Sequence, residues 1–146
     1  MPVAGVRSSS GSRIFENYIP EYSDRLVRQI ENCGGVVYAK SNTPEFGTGG
    51  ITFNEVFGIT GTPHNTHFAS GGSSVGAAAS LATGSAWLSH GSDMAGSLRT
   101  PASFCGVTSL RPSPGKIRSD SEFQPFDLLG AQGPMARNIE DLALCR

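Results

Sequence analysis

Two short runs of glycine and serine are the residues best suited to chemistry. Gly71-Gly72-Ser73-Ser74 stands before a stretch of small residues, and Gly91-Ser92-Asp93-Met94-Ala95-Gly96-Ser97-Leu98-Arg99 follows a short apolar segment. A glycine-rich turn that opens a helix can cradle an anion on its backbone N–H groups. A serine on a tight glycine turn is a common way to expose a nucleophile beside backbone donors. Each run also has a plain structural reading. Ser73 or Ser74 could cap the following helix, and the second run could be an ordinary polar loop. The first run is neither a Gly-Lys-Ser/Thr phosphate loop nor a GxGxxG turn after a strand. Asp93 and Arg99 flank the second run and could pair across it, bracing the turn without doing chemistry.

Other chemistries find less support. His64 and His67 lie in a Pro/Thr-rich loop with no carboxylate between them, and His90 stands apart, so no metal site is expected. Cys33, Cys105 and Cys145 are widely spaced and odd in number, which argues against a disulfide framework and fits free thiols in a cytoplasmic compartment. A formal net charge of -1 argues against a nucleic-acid partner. No apolar run is long enough for a membrane helix, and Met1–Ser12 lacks the basic and apolar regions of a secretory signal. The length, 146 residues, suits about one domain with a real core. The 19 glycines and 9 prolines predict a turn-rich one.

The elements that must position these serines follow from periodicity. Ser23 as cap, Asp24 in the first turn and an apolar face of Leu26, Val27, Ile30 and Cys33 predict a helix, which Gly34 and Gly35 stop. Val36-Val37-Tyr38 reads as a buried strand, and the helix–turn–strand unit points to an α/β fold. Thr43-Pro44-Glu45 resembles a capped helix start that Gly47, Gly49 and Gly50 keep short. Residues 51–70 read as loop. Val75–Gly84 predicts a buried helix of small residues, Trp87–His90 a strand, Pro101–Cys105 a helical turn and Val107–Leu110 another strand. Arg111–Pro125 reads as turn-rich loop. Asn138, with Asp141 three residues on, predicts a capped last helix. That helix has just reached Cys145 when the chain stops, so a cut C-terminus is expected.

Together the two serine runs carry a more specific pattern. Gly71-Gly-Ser-Ser-x-Gly76 and Gly91-Ser-Asp-x-x-Gly-Ser97-Leu-Arg99-x-Pro101-Ala-x-Phe-Cys-Gly106 closely resemble the signature of the amidase signature family. Ser73 and Ser97 are 24 positions apart, as in that family's pattern. The resemblance extends through Gly35-Val-Val-x-x-Lys-Ser-Asn-Thr-Pro-Glu-Phe46, Phe53-Asn54 and Val56-Phe57-Gly58. It continues through Arg111-Pro-Ser-Pro-Gly115, Gly133-Pro-Met-Ala-Arg137 and Asp141-Leu-Ala143, covering the chain from about Ala4 onward.

The resemblance implies an α/β fold, a mixed β-sheet flanked by helices on both faces, and cleavage of small-molecule amides through a Ser–cis-Ser–Lys triad. By motif, Ser97 matches the acyl-forming nucleophile. Ser73 matches the serine that follows a cis peptide bond and relays the proton, with Gly72 before it for want of a side chain. The N–H groups of Met94, Ala95, Gly96 and Ser97 match the oxyanion loop, Ser74 a supporting hydrogen-bonding position, and Asp93 and Arg99 a structural brace. No cofactor is implied, because the serines perform the acyl transfer themselves. A homo-oligomer is an expectation for the longer protein.

The family's base lysine lies in a Val-Lys-Asp segment shortly upstream of the motif matched by Ala4-Gly5-Val6. Only Lys40 and Lys116 occur here. Lys40 matches a different family lysine, and Lys116 follows the core motifs. Residues 1–146 are therefore expected to be one partial amidase domain, truncated at both ends and not competent alone. Such a slice would leave sheet edges and apolar faces uncovered. Val75 and Ala95 replace glycines usual in the family, and Gly61 and His64 replace an arginine and a tryptophan. Two other readings stand beside this one. The first is the A subunit of a glutamyl-tRNA amidotransferase, against which Ser113-Pro114-Gly115 departs from the expected Thr-Tyr-Gly. The second is a truncated, non-catalytic binding protein.

Overall fold

The computed structural model describes residues 1–118, 120 and 127–145. Helix α1 spans Arg25–Asn32. Its cap is Asp24, one residue after the serine that the sequence suggests: Asp24 Oδ1 accepts the Leu26 N–H at 2.8 Å, whereas Ser23 Oγ is occupied by the Ala4 N–H at 3.0 Å. The glycine stop behaves as expected. Gly34 adopts φ +85°, and the N–H groups of Gly34 and Gly35 fold back onto the carbonyls of Glu31 and Ile30.

The strand expected at Val36–Tyr38 is not formed. Val36 is 83% exposed and Tyr38 66%, and no strand pairs with them among the described residues. An apolar triplet becomes a buried strand only when neighbours supply a ladder and a roof, and none among the described residues lies alongside. The start at Thr43-Pro44-Glu45 yields only a 3-10 turn, Glu45–Gly47, with Pro44 as an unbonded cap. Residues 51–70 are not loop throughout. They form two small antiparallel hairpins, β1 (Phe53–Asn54) with β2 (Gly58–Ile59), and β3 (Gly61–Thr62) with β4 (Asn65–Ala69). Three of these strands have two residues, too few for an alternation to show.

The core lies further along. Helix α2 (Val75–Ala82) and helix α3 (Arg99–Cys105) pack on each other, and α2 also packs on β5 (Leu88–Asp93) and β7 (Ala131–Ala136). β7 is the central strand of an antiparallel sheet in the order β5-β7-β6, with β6 at Thr108–Ser109. Val75, Ala77, Ala78, Leu81, Leu98, Ala102, Cys105 and Met135 form one buried cluster. Small residues on α2 permit this close approach. At Gly76 a Cβ would lie 2.5 Å from both N and O of Asn42. Met135 and Ala136 are both fully buried although successive strand residues face opposite ways, so both faces of β7 are covered at that end. Helix α4 (Ile139–Ala143), capped by Asn138 Oδ1 on the Asp141 N–H at 2.7 Å, packs against β7 and β6. The α/β class therefore stands, with every ladder among the described residues antiparallel. Of the turn-rich 111–125 stretch, residues 119 and 121–125 lie outside the described residues.

Candidate active site

The two serine runs meet. β5 ends at Asp93, a tight turn carries Met94 to Leu98, and α3 begins at Arg99. Beside this turn the chain enters α2 through Gly71–Ser74. Gly71 takes φ +76°, and the peptide bond between Gly72 and Ser73 is cis. Gly72 is pressed against backbone: a Cβ there would lie 2.5 Å from the Gly49 carbonyl oxygen and 3.2 Å from the Ile51 nitrogen.

Ser74 joins the runs. Its N–H donates to the Ser97 carbonyl at 3.2 Å. Its hydroxyl donates to the Ser92 carbonyl at 3.2 Å and accepts the Ser92 N–H at 3.1 Å. Ser74 occupies the N-cap position of α2 but makes no capping bond, because its hydroxyl is spent across the site. The plain reading of this run as a helix cap is thereby replaced. Ser73 is 5% exposed and Ser97 half-buried. Two threonine hydroxyls address the adjoining backbone, Thr43 Oγ1 to the Ser73 carbonyl at 3.3 Å and Thr52 Oγ1 to the Gly71 carbonyl at 3.5 Å.

Asp93 holds the turn from inside. Its side chain is fully buried. Oδ1 accepts the Gly96 N–H at 2.8 Å, and Oδ2 accepts the Leu98 N–H at 3.2 Å. Arg99 adds a forked pair, Nε to Oδ2 at 2.9 Å and Nη2 to Oδ1 at 3.0 Å. Burial works to raise the Asp93 carboxyl, but the Arg99 hydrogen bonds, the two N–H groups and the Arg99 charge overcome it and hold the carboxyl well below the usual carboxylate range. The brace expected between Asp93 and Arg99 thus exists, and Arg111 is a second cation to which residue spacing alone assigns no role. Its Nε approaches Oδ1 at 3.4 Å without a hydrogen bond, while Nη2 donates to the Leu129 carbonyl at 2.8 Å. Arg111 opens the Arg-Pro-Ser-Pro-Gly motif, the one signal in the sequence that points to it.

The turn departs in part from the four-donor set. The Gly96 N–H is committed to Asp93, so Met94, Ala95 and Ser97 are the members whose N–H has no internal partner among the described residues. Gly96 has φ +115° and lies against Thr100 Oγ1, so glycine is required there. Ala95 carries no such demand. Positive φ at non-glycine residues occurs only at Ser10 and Phe46 among the described residues. Ala95 and Met94 are exposed at the turn's outer surface.

Neither lysine is seen to join the serines. Lys40 Nζ donates to Ser8 Oγ at 2.7 Å and to the Arg7 carbonyl at 3.4 Å, and Lys116 is exposed. His64 Nε2 bonds the Cys105 carbonyl at 3.0 Å, at the far end of α3. Cys105 is a core residue whose thiol is pushed up by burial.

His90 is buried around both ring nitrogens, and neither has a hydrogen-bond partner among the described residues. Burial lowers its pKa from 6.5 to about 4. The native state therefore refuses a proton that the unfolded chain accepts below pH 6.5. The stability tied to a neutral His90 is complete above pH 6.5 and falls as pH drops toward about 4, by about 2–3 kcal/mol at pH 4.5. Urea midpoints at pH 7 and 4.5 check this, and His90→Leu is expected to flatten that part of the slope.

The family model described as Amidase matches residues 1–146. The chain belongs to the amidase family. The A subunit of glutamyl-tRNA(Gln) amidotransferase from Synechococcus sp. (strain CC9605) is 41% identical over 139 residues, covering 95% of this chain and 28% of that protein. The structure of 6-aminohexanoate cyclic dimer hydrolase complexed with substrate superposes with a TM-score of 0.88 at 32% identity, over 99% of this amidase chain and 31% of that one. The glutamyl-tRNA(Gln) amidotransferase A subunit of Thermotoga maritima superposes with a TM-score of 0.87 at 32% identity, over 99% and 32%. The amidase chain thus spans under a third of the length of these relatives. No helix among its described residues is long and apolar enough to cross a membrane.

Proposed function

We propose that this chain carries the acyl-transfer serines of a cytoplasmic amidase acting on small linear carboxylic amides. Ser97 Oγ attacks the amide carbon, and its proton passes to Ser73 Oγ as the proton of Ser73 moves on to the base. The N–H groups of Met94, Ala95 and Ser97 receive the developing oxyanion, already aimed before charge appears. Ser73 returns the proton to the leaving nitrogen as the C–N bond breaks. Water then cleaves the Ser97 ester, releasing the acid. The observation that carries this reading is the Ser74 N–H to Ser97 carbonyl bond, which ties the two serine runs at one point.

A serine hydroxyl is a weak nucleophile without a base. We infer that residues 1–146 are one part of an amidase domain and that the base lysine comes from polypeptide outside them. Lys40 is engaged with Ser8 and Arg7. The apolar surface supports the same reading, with Ile14, Phe46, Ile59, Phe68, Trp87 and Leu128 all exposed.

The test is treatment of the full-length protein, which supplies the base, with an activated ester, p-nitrophenyl acetate, followed by peptide mass mapping. An acetyl group on Ser97, absent in Ser97→Ala, is the expected result. Labelling confined to other residues would reject the reading and leave a non-catalytic binding protein. A second reading has its own support: relatives at 41% identity are glutamyl-tRNA(Gln) amidotransferase A subunits. Under it the amide is glutamine and the ammonia passes to a partner protein, and stable co-purification with a second polypeptide would favour it.

A further inference from the structure

We propose that Thr43 is a positioning residue for Ser73, setting the Ser73–Ser74 peptide plane against Ser97. The inference rests on the reading of Ser97 as nucleophile and Ser73 as relay. A peptide unit offers one acceptor and one donor, on opposite edges of its plane. Here both are taken. Thr43 Oγ1 donates to the Ser73 carbonyl at 3.3 Å, and the Ser74 N–H donates to the Ser97 carbonyl at 3.2 Å. Two bonds at opposite edges remove rotation of the plane about its Cα–Cα axis. The backbone torsion of Ser73 next to that plane, and with it the direction in which its side chain leaves relative to the Ser97 turn, is fixed.

Thr43 can serve as such an anchor because its own segment is immobilised. The Thr43 N–H donates to Asn42 Oδ1 at 3.0 Å, and its carbonyl accepts from Asn54 Nδ2 at 2.8 Å. Asn54 is 2% exposed and also donates to Asn42 Oδ1. Asn42 in turn donates to Thr60 Oγ1 at 2.9 Å, and its carbonyl accepts the Gly76 N–H at 3.2 Å. Thr43 is thereby tied to the β1–β2 hairpin on one side and to the start of α2 on the other. Its hydroxyl makes no helix-capping bond, since the 3-10 turn at Glu45–Gly47 takes Pro44 as its cap. That leaves the Ser73 carbonyl as its one acceptor among the described residues. Thr52 does the same two peptides away, donating to the Gly71 carbonyl from a fully buried position.

The experiment compares single-turnover acetylation of Ser97 by p-nitrophenyl acetate in the full-length protein that supplies the base, as wild type, Thr43→Val, Thr43→Ser and Ser97→Ala. Valine keeps the shape and deletes the hydroxyl. Serine keeps the hydroxyl. Thr43→Val is expected to slow Ser97 acetylation by between about 10- and 100-fold, the range that misplacement of a catalytic group produces. Its thermal midpoint should move by no more than about 5 °C, the loss of one hydrogen bond. Thr43→Ser should restore the rate to within about threefold, since the donor and its acceptor are unchanged. Acetylation of Thr43→Val at the wild-type rate, or equal loss in the valine and serine variants, overturns the positioning role while Ser97 remains the labelled residue. Absence of a Ser97 adduct in the wild type, or a wild-type signal in Ser97→Ala, overturns the nucleophile reading and this proposal with it.

Discussion

Asp93→Ala is expected to lower the folding free energy by about 3–5 kcal/mol and to abolish Ser97 acetylation. The magnitude follows from what the carboxylate leaves behind. The N–H groups of Gly96 and Leu98, both buried residues, lose their acceptor, and each orphaned donor costs about 1–3 kcal/mol. Arg111, 27% exposed at its side chain, keeps its Leu129 bond but faces an empty site. Arg99 contributes least to the loss, because its side chain is 60% exposed and water replaces the missing partner. Arg99→Met is therefore expected to cost less than the loss of the aspartate. Urea unfolding of the two variants at pH 7 measures the difference. The same geometry sets a pH window. With its carboxyl held well below the usual range, Asp93 gives its full stabilisation above about pH 4 and loses it only in more acidic solution. The window therefore lies below the one assigned to His90. Activity is lost along with stability because Gly96 and Leu98 flank Ser97 and no other side chain among the described residues fixes both.

Much of this site was legible in the sequence. The two Gly/Ser runs, their coupling through the amidase resemblance and the Asp93–Arg99 brace all follow from residue types at short spacing. The helices α2 and α3 follow from small residues and from Pro101–Cys105. The illegible parts share one physical feature: they depend on competition among groups distant in sequence. Ser23 and Asp24 are both good caps, and the choice fell to Asp24 because Ala4 claims the Ser23 hydroxyl. Thr43 reads as a cap, and only the approach of Ser73 shows where its hydroxyl goes. Ser74 also reads as a cap, and its partner lies 18 residues on. The hairpins of residues 53–69 escape because two-residue strands carry no period. Val36–Tyr38 fails for the opposite reason. Its local pattern is strong, but nothing among the described residues pairs with it.

Gly72→Ala is expected to be clearly damaging, though less so than the loss of Asp93, whereas Gly50→Ala beside it is expected to be close to neutral. Both glycines lie at the contact between the Gly49–Ile51 segment and the entry to α2. A Cβ on Gly72 would meet the Gly49 oxygen at 2.5 Å, the Gly50 carbonyl carbon at 3.1 Å and the Ile51 nitrogen at 3.2 Å. All three are backbone atoms, so no side-chain rotamer can relieve the contact. Either the Gly49–Ile51 segment or the Ser73 run must move. The segment is poorly placed to yield, since the Thr52 hydroxyl that follows it bonds the Gly71 carbonyl. Overpacking of this kind costs about 1–3 kcal/mol, and a shift near 1 Å at Ser73 is expected to slow Ser97 acetylation about 100-fold. A Cβ on Gly50 meets nothing within 4 Å, and Gly50 does not have positive φ. Alanine there gains a little from a less flexible unfolded chain. The pair separates two causes that a single variant would confuse. If Gly50→Ala slows acetylation as much as Gly72→Ala, the segment responds to its own stiffness and not to contact with the serine run. If only Gly72→Ala does, the close approach of two backbones is what holds Ser73 in place.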